Sequence, residues 1–228
     1  MREVLKKAVL FDAPEKIDQK IVELARVSSD NPKNPNYKGL LKYLLREKHF
    51  SPFDMCNVTF EIITEKDVAI QILRHPIFPQ EWSQRYADCS DMKAELRECR
   101  LQDEKNRQNS LVCEDKEISD WWEEAQTQLQ DYAFKLYQEA LKLNIAKELS
   151  RSLLPIGLTS TKMFLNATVR QWLFYCMSRM HKSTQKEHRE VAKEVFYLLW
   201  TVAPCTVDAF TEFYLNTEDY DLPVFGNV

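Results

Sequence analysis

Glycine is scarce. The 228-residue chain has three, Gly39, Gly157 and Gly226, and no two are close together. Loops of the GxGxxG or Walker type need clustered glycines so that backbone can approach phosphate. Their absence excludes both, so a bound nucleotide must have its phosphate held by side chains, arginine foremost. No pair among Cys56, Cys89, Cys99, Cys113, Cys176 and Cys205 forms CxxC or stands at zinc-finger spacing with a histidine. They read as reduced thiols of a cytoplasmic protein, most of them serving as small buried hydrophobes. No signal peptide is visible, and no apolar run is long enough to span a membrane. A net charge of −4 argues against broad binding to nucleic acid or a membrane surface. It leaves room for a local basic pocket for one small anion.

What is present suffices for a core: 44% of residues are hydrophobic and 29% charged. The length fits one domain over residues 1–228. Residues 15–27 have helical spacing through Ile17, Ile21, Leu24 and Ala25. A polar connector leads to a short amphipathic helix over 38–48. Val58, Phe60 and Ile62 alternate in NVTFEII, a strand over 57–63. Residues 66–73 read as a helix, with Gln71 and Arg74 at i, i+3. Pro76 and Pro79 stop regular structure. An extended chain beyond them puts Glu81, Ser83 and Arg85 on one side and Trp82, Gln84 and Tyr86 on the other. Residues 91–117 are a charge-dense, loop-rich insertion. A long helix over 119–150 follows, through Trp122, Ala125, Leu129, Tyr132, Ala133, Leu136 and Ala140, with Asp120 and Glu123 as its capping box. MFLNATVRQWLFYCMSR is a second helical block. Thr184 and Glu187 open a third helix through Val191, Val195 and Leu198. The order implies a single α/β or α+β domain.

Arg74, Arg85, Arg151, Arg170 and Arg179 sit in otherwise apolar segments. Any one of them reads as a surface charge on a snorkelling stem, whereas several together favour an anion site. His49 and His75 stand at the edges of apolar segments. His181 and His188, seven apart among charged neighbours, read as a solvated helix face, and no metal triad assembles. Cys205 in VAPCTVDAF is a tempting nucleophile, but apolar neighbours raise a thiol's pKa, so it reads as structural.

QILRHPIFPQEWSQRY, residues 71–86, resembles the signature of the flavin-dependent thymidylate synthases, which reads Arg-His-Arg, seven residues, then Ser, with Gln before and Arg-Tyr after. LARVSS, HFSPFD, RLQDEKNRQNS, SRSLLP, ATVRQW and TQKEHREVAKE are similar to further family segments, in family order, as in the viral and cyanobacterial branch. The resemblance implies an α/β subunit with a mixed, mostly antiparallel sheet and long helices, assembled as a homotetramer with active sites between subunits. It implies methylation of dUMP at C5, with methylenetetrahydrofolate as carbon donor, FAD as carrier and NADPH as reductant. By position, Gln71, Arg74, Glu81, Ser83, Arg85, Arg151 and Arg179 match nucleotide contacts. Arg85 and Arg151 would grip the nucleotide, and Arg179 would stabilise negative charge on the pyrimidine. Ser28, His49, His75 and Arg170 match flavin or folate contacts. Three departures stand out. Pro76 replaces the second arginine of the motif, six residues rather than seven precede Ser83, and Phe174 replaces a histidine or asparagine. Two other readings follow from them: a relative with changed chemistry, hydroxymethylating or acting on dCMP, as in phages with modified bases, and a nucleotide-binding protein without catalysis.

Overall fold

The structure, a computed structural model, describes residues 7–225. In chain order the elements are β1 (Ala8–Asp12), α1 (Ile17–Ala25), α2 (Tyr37–Arg46), β2 (Asn57–Glu65), α3 (Lys66–Ile72), β3 (Phe78–Glu81), β4 (Arg100–Gln102) and β5 (Ser110–Val112). Then come α4 (Lys116–Lys142), α5 (Lys147–Ser150), β6 (Ser160–Thr168), α6 (Val169–Arg179), α7 (Lys186–Val202) and α8 (Pro204–Tyr214). The main sheet has the order β1-β2-β6-β3, and β4 and β5 form a separate hairpin. β1 and β2 are antiparallel, Ala8 facing Ile62, with a bulge between Leu10 and Asp12. The fold class is therefore the mixed α/β one expected. Among the described residues no helix is long and apolar enough to cross a membrane.

Contacts gather into two compact units. The first holds the N-terminal stretch through Ile62, the segment His75–Pro79, and the chain from Phe164 onward; the second holds Ile63–Arg74 and Gln80–Met163.

In the first unit the core is made by Ile17, Ile21, Leu41, Leu45, Trp172, Phe196 and Phe210, all without exposed surface. Trp172 also donates its indole N–H to the Val58 carbonyl at 2.9 Å, so its polar edge is satisfied inside the core. α8 begins at Pro204 with Ala203 before it, a residue with no side-chain cap to offer. The cap comes instead from α1. The buried Asp18 carboxylate accepts from the Cys205 and Thr206 backbone N–H groups at 2.8 and 3.0 Å, and from the Thr206 hydroxyl at 2.6 Å. These are first-turn donors with no partner inside the helix, and a negative charge there also suits the helix dipole. Asp18→Ala should therefore cost about 3 kcal/mol, since charge-assisted bonds and helix caps are both removed. Urea unfolding would show it as a lower midpoint, with Asp18→Asn between the two; an unchanged midpoint would refute this cap.

In the second unit Cys89, Phe134, Tyr137 and Leu154 form a buried cluster, and the Tyr137 hydroxyl accepts from the Cys89 N–H at 3.0 Å. α4 turns an unexpected face inward. Its buried residues are Gln126, Gln130, Ala133, Phe134, Tyr137 and Ala140, while Leu129 and Tyr132, expected in the core, are 53% and 62% exposed. The glutamines hold loop backbone: Gln130 donates to the Ala94 and Leu158 carbonyls at 2.8 and 3.0 Å, and Gln126 both accepts from Arg97 N–H and donates to its carbonyl.

Other boundaries differ from the sequence reading. α4 starts at Lys116, capped by Asp115 rather than by Asp120 with Glu123, and it ends at Lys142. MFLNAT is the second half of strand β6, whose exposure alternates along its length. The helix after it is opened by a capping box of Thr168 and Gln171. α7 has Gln185 before its first residue, and Thr184 does not cap it.

Candidate active site

The second unit holds most of the residues matched to the nucleotide. Chain beyond β3 does not stay extended. Tyr86 and Ala87 donate backbone N–H to the Ser83 carbonyl at 3.1 and 3.0 Å, so a turn over 83–87 breaks the expected alternation of Glu81, Ser83 and Arg85. Glu81 ends β3 and accepts from Lys66 Nζ at 2.6 Å and from the Thr161 hydroxyl at 2.9 Å. It is thus a fixed, charge-compensated acceptor. Arg85 is swung by the turn toward α5, where a guanidinium N–H lies 3.4 Å from a Glu148 carboxylate oxygen. Arg151 Nε donates to the Glu148 carbonyl at 3.3 Å. Lys147 donates to the Tyr86 carbonyl at 3.1 Å. Of these three cations only Arg85 meets a carboxylate, and the long contacts of both arginines, in water, leave them available to an anion. Lys147 was not singled out by the sequence, where it is one lysine among many. Gln71 lies in the last turn of α3, and Arg74 follows it in an exposed turn, no longer on a helix face.

The first unit contains two further groups. One surrounds Arg179, at the C-terminal end of α6. Its Nε–H donates to His75 Nε2 at 2.8 Å. A guanidinium has no lone pair to offer, so His75 Nε2 carries no proton and the ring is neutral, protonated on Nδ1. Behind His75 stand Tyr175, edge-on at 5.0 Å, and His188 at 6.5 Å. His188 is fully buried, with Nε2 3.2 Å from the Tyr175 hydroxyl. Burial, then the Arg179 charge and His75, push its pKa down to about 3. This corrects the reading of His188 as part of a solvated face; its charged neighbour Glu187 is buried as well. Burial also holds the Tyr175 phenol well above its ordinary range, so it stays protonated. His181 lies before the helix, bonded to Ser183. Arg179 is half-buried, and its two Nη groups have no partner among the described residues.

Loop 75–77 is tied to α6 by Gln171 as well as by Arg179. Gln171 completes the capping box through its side-chain oxygen, and its Nε2 donates to the Pro76 carbonyl at 2.6 Å. The T-x-x-Q spacing is readable in sequence once the strand before it is recognised.

The other group is an open groove of about 520 Å³ lined by Ala25, Leu44, Lys48, His49, Phe50, Ser51, Pro52 and Arg170. α2 ends there in a Schellman turn: Lys48 takes φ 59°, His49 N–H reaches the Leu44 carbonyl at 2.8 Å and Lys48 N–H the Leu45 carbonyl at 3.1 Å. This turn aims the exposed His49. Arg170 pairs with Asp54 at 2.9 Å and lies over the Phe50 ring at 5.3 Å. Phe174 packs edge-on behind Phe50 at 5.1 Å, beside Phe210. Cationic groups around an aromatic and proline floor fit a flat, anionic cofactor such as a flavin or a folate, with no glycine cradle required. Lys48 was missed because nothing in sequence marks a lysine in the left-handed region. Ser28 is exposed in the turn after α1 and does not line this groove. Lys48→Gly should raise stability by about 1 kcal/mol by relieving the left-handed backbone, while weakening anionic ligands through the lost charge. Paired melting curves and FAD titrations would show both; a variant no more stable than the parent would refute the backbone argument.

Cys205 is held by its backbone rather than poised for attack. Burial, then the Asp18 carboxylate, push its thiol up, as expected of a structural cysteine. Among the described residues no group of three or more His, Cys, Asp or Glu is placed to hold a metal ion.

Residues 9–205 match the family model described as thymidylate synthase complementing protein. The chain is 46% identical over 173 residues to a flavin-dependent thymidylate synthase of Synechocystis sp., covering 75% of this chain and 79% of the relative. It is 41% identical over 187 residues to a probable flavin-dependent thymidylate synthase of Paramecium bursaria Chlorella virus 1, covering 78% and 85%. Its fold is similar to the UMP/dUMP methylase PolB of Streptomyces cacaoi, solved with 5-Br UMP, with a TM-score of 0.81, 25% identity, and coverage of 91% and 95%.

Proposed function

This chain belongs to the family of thymidylate synthase complementing proteins, and we propose that it methylates dUMP at C5 as a flavin-dependent thymidylate synthase. The single observation that carries the reading is Arg179. Its Nε–H is fixed by a neutral histidine, and its forked end has no hydrogen-bond partner among the described residues. A guanidinium held this way is preorganised to stabilise negative charge that develops on a pyrimidine when C5 becomes nucleophilic. Arg85 and Arg151 grip the nucleotide phosphate, helped by Lys147. Glu81, compensated by Lys66, accepts from the nucleotide, and Gln71, Arg74 and Ser83 complete its contacts. His49 and Arg170, with Lys48 and Phe50, hold a cofactor; His75 and Ser28 belong to the same cofactor set. When bound, FAD supplies the redox chemistry, methylenetetrahydrofolate the carbon and NADPH the reducing equivalents. No enzyme cysteine takes part.

The two units work as one catalytic domain, and the active sites draw residues from more than one copy in a homotetramer. α4 supports the assembly. Ile118, Trp122, Ala125, Leu129, Tyr132 and Leu136 recur at alternating four- and three-residue spacing, and none of them is buried. A helix face of this kind seeks another helix. A cytoplasmic location, the host's for a phage-encoded chain, is part of the same proposal.

Tritium release from C5-labelled nucleotides tests the reaction. Release from dUMP with FAD, NADPH and methylenetetrahydrofolate supports methylation. Release from dCMP alone overturns the substrate assignment and turns attention to the Pro76 loop. Release from neither nucleotide, by a protein that still binds dUMP, overturns catalysis.

A further inference from the structure

In the β4–β5 hairpin Arg100 faces Val112, Leu101 faces Leu111 and Gln102 faces Ser110. The same register continued by one step sets Cys99 directly opposite Cys113. A backbone bond from Cys113 N–H to the Cys99 carbonyl, 3.2 Å long, shows that the ladder does continue. Directly opposed residues of an antiparallel pair point to the same face, with Cα atoms about 5.5 Å apart in a hydrogen-bonded pair. That is within the usual disulfide range of about 4.4–6.8 Å. Cys113 is close enough to perturb the ionisation of the Cys99 thiol. Cys113 is buried and Cys99 is partly exposed, which gives the pair an outer and an inner sulfur.

We propose that Cys99 and Cys113 form a reversible cross-strand disulfide, a thiol-oxidation site at the base of this hairpin. The oxidant is a small-molecule disulfide such as oxidised glutathione. The Cys99 thiolate attacks one sulfur of the oxidant, and one glutathione leaves as its thiol. Cys113 then attacks the Cys99 sulfur and expels the second glutathione. Two protein thiols give up two protons and two electrons, and the small disulfide becomes two thiols. Burial and the adjacent Cys113 hold the Cys99 thiol above its ordinary pKa, so the exchange quickens as pH rises and more thiolate forms. The closed loop fixes both strands leading to the Asp103–Asn109 tip, where Asp103 already accepts from Lys105, Asn106 and Asn109. Cys56, Cys89 and Cys176 are buried elsewhere and are not part of this pair.

The test uses the full-length protein incubated with oxidised glutathione at mildly alkaline pH, blocked with iodoacetamide and digested with trypsin. The expected product links residues 98–100 to residues 108–116, and dithiothreitol abolishes it. Amide exchange at Leu101 and Leu111 should slow in the oxidised protein. In Cys113→Ser, Cys99 should retain one glutathione as a mixed disulfide. Full alkylation of both cysteines would overturn the proposal. So would a glutathione that stays on Cys99 in the unaltered chain, or a linked peptide that appears only in denaturing urea.

Discussion

Replacing Arg179 with alanine should lower turnover of dUMP by about 10²–10³-fold, the scale of losing one preorganised charge-stabilising donor. The fold should survive. The guanidinium makes one described side-chain bond, to His75 at 2.8 Å, and a bond of that kind contributes about 1 kcal/mol to stability. The loss should fall mainly on kcat, because the charge it stabilises is larger in the transition state than in the bound nucleotide. Nucleotide affinity should drop less, since the proposed phosphate grip of Arg85 and Arg151 is untouched. Arg179→Lys should fall between. An ammonium keeps the charge, but it cannot hold the His75 contact and still present a planar fork. Tritium release gives the rates, and isothermal titration with dUMP gives the affinities. Near-normal turnover by Arg179→Ala would remove the central support of the proposed function. A purely structural role would instead show as a lowered melting temperature with matching losses in binding and rate.

The strongest local patterns were legible in the sequence. β2 alternates, and α1 and α3 fall where their spacing puts them. The failures share a physical cause, which is that a period reports amphipathicity and not which face is covered. α4 has a regular apolar stripe, yet glutamines occupy the inner face because loop carbonyls there need donors. MFLNAT followed directly by VRQW reads as one apolar run, and only Thr168 with Gln171 marks the change from strand to helix. The extended reading of Glu81 to Arg85 failed because a turn at Ser83 does not need glycine. Asp18 capping a helix that starts 186 residues later has no local signal at all. The resemblance to the family reached further than periodicity, since it named Arg179 as a nucleotide contact and His75 as a cofactor contact, two residues that lie 2.8 Å apart.

His188 should make the protein acid-labile over a defined window. Its folded pKa is about 3, lowered first by burial and then by Arg179 and His75, whereas in the unfolded chain it titrates near 6.5. Between these values the unfolded state binds the extra proton, so stability rises with pH and is lost as pH falls from about 6.5 toward 3. Above that window both states are neutral and His188 contributes no slope. A shift of this size corresponds to a loss on the order of 5 kcal/mol at the acid end. Carboxylates also titrate below pH 5, so the informative quantity is the difference from a variant. His188→Gln is neutral at every pH and its amide can still meet the Tyr175 hydroxyl. The variant should be less stable than the parent at pH 7, because the amide fits the cavity less well, but its stability should decline less between pH 6.5 and 4. Urea unfolding at pH 7, 6, 5 and 4 would give both curves. Parallel curves would mean that His188 protonates without penalty in the folded state, and the buried Tyr175–His188 pair behind His75 would then not be the dry, neutral backing that the geometry describes.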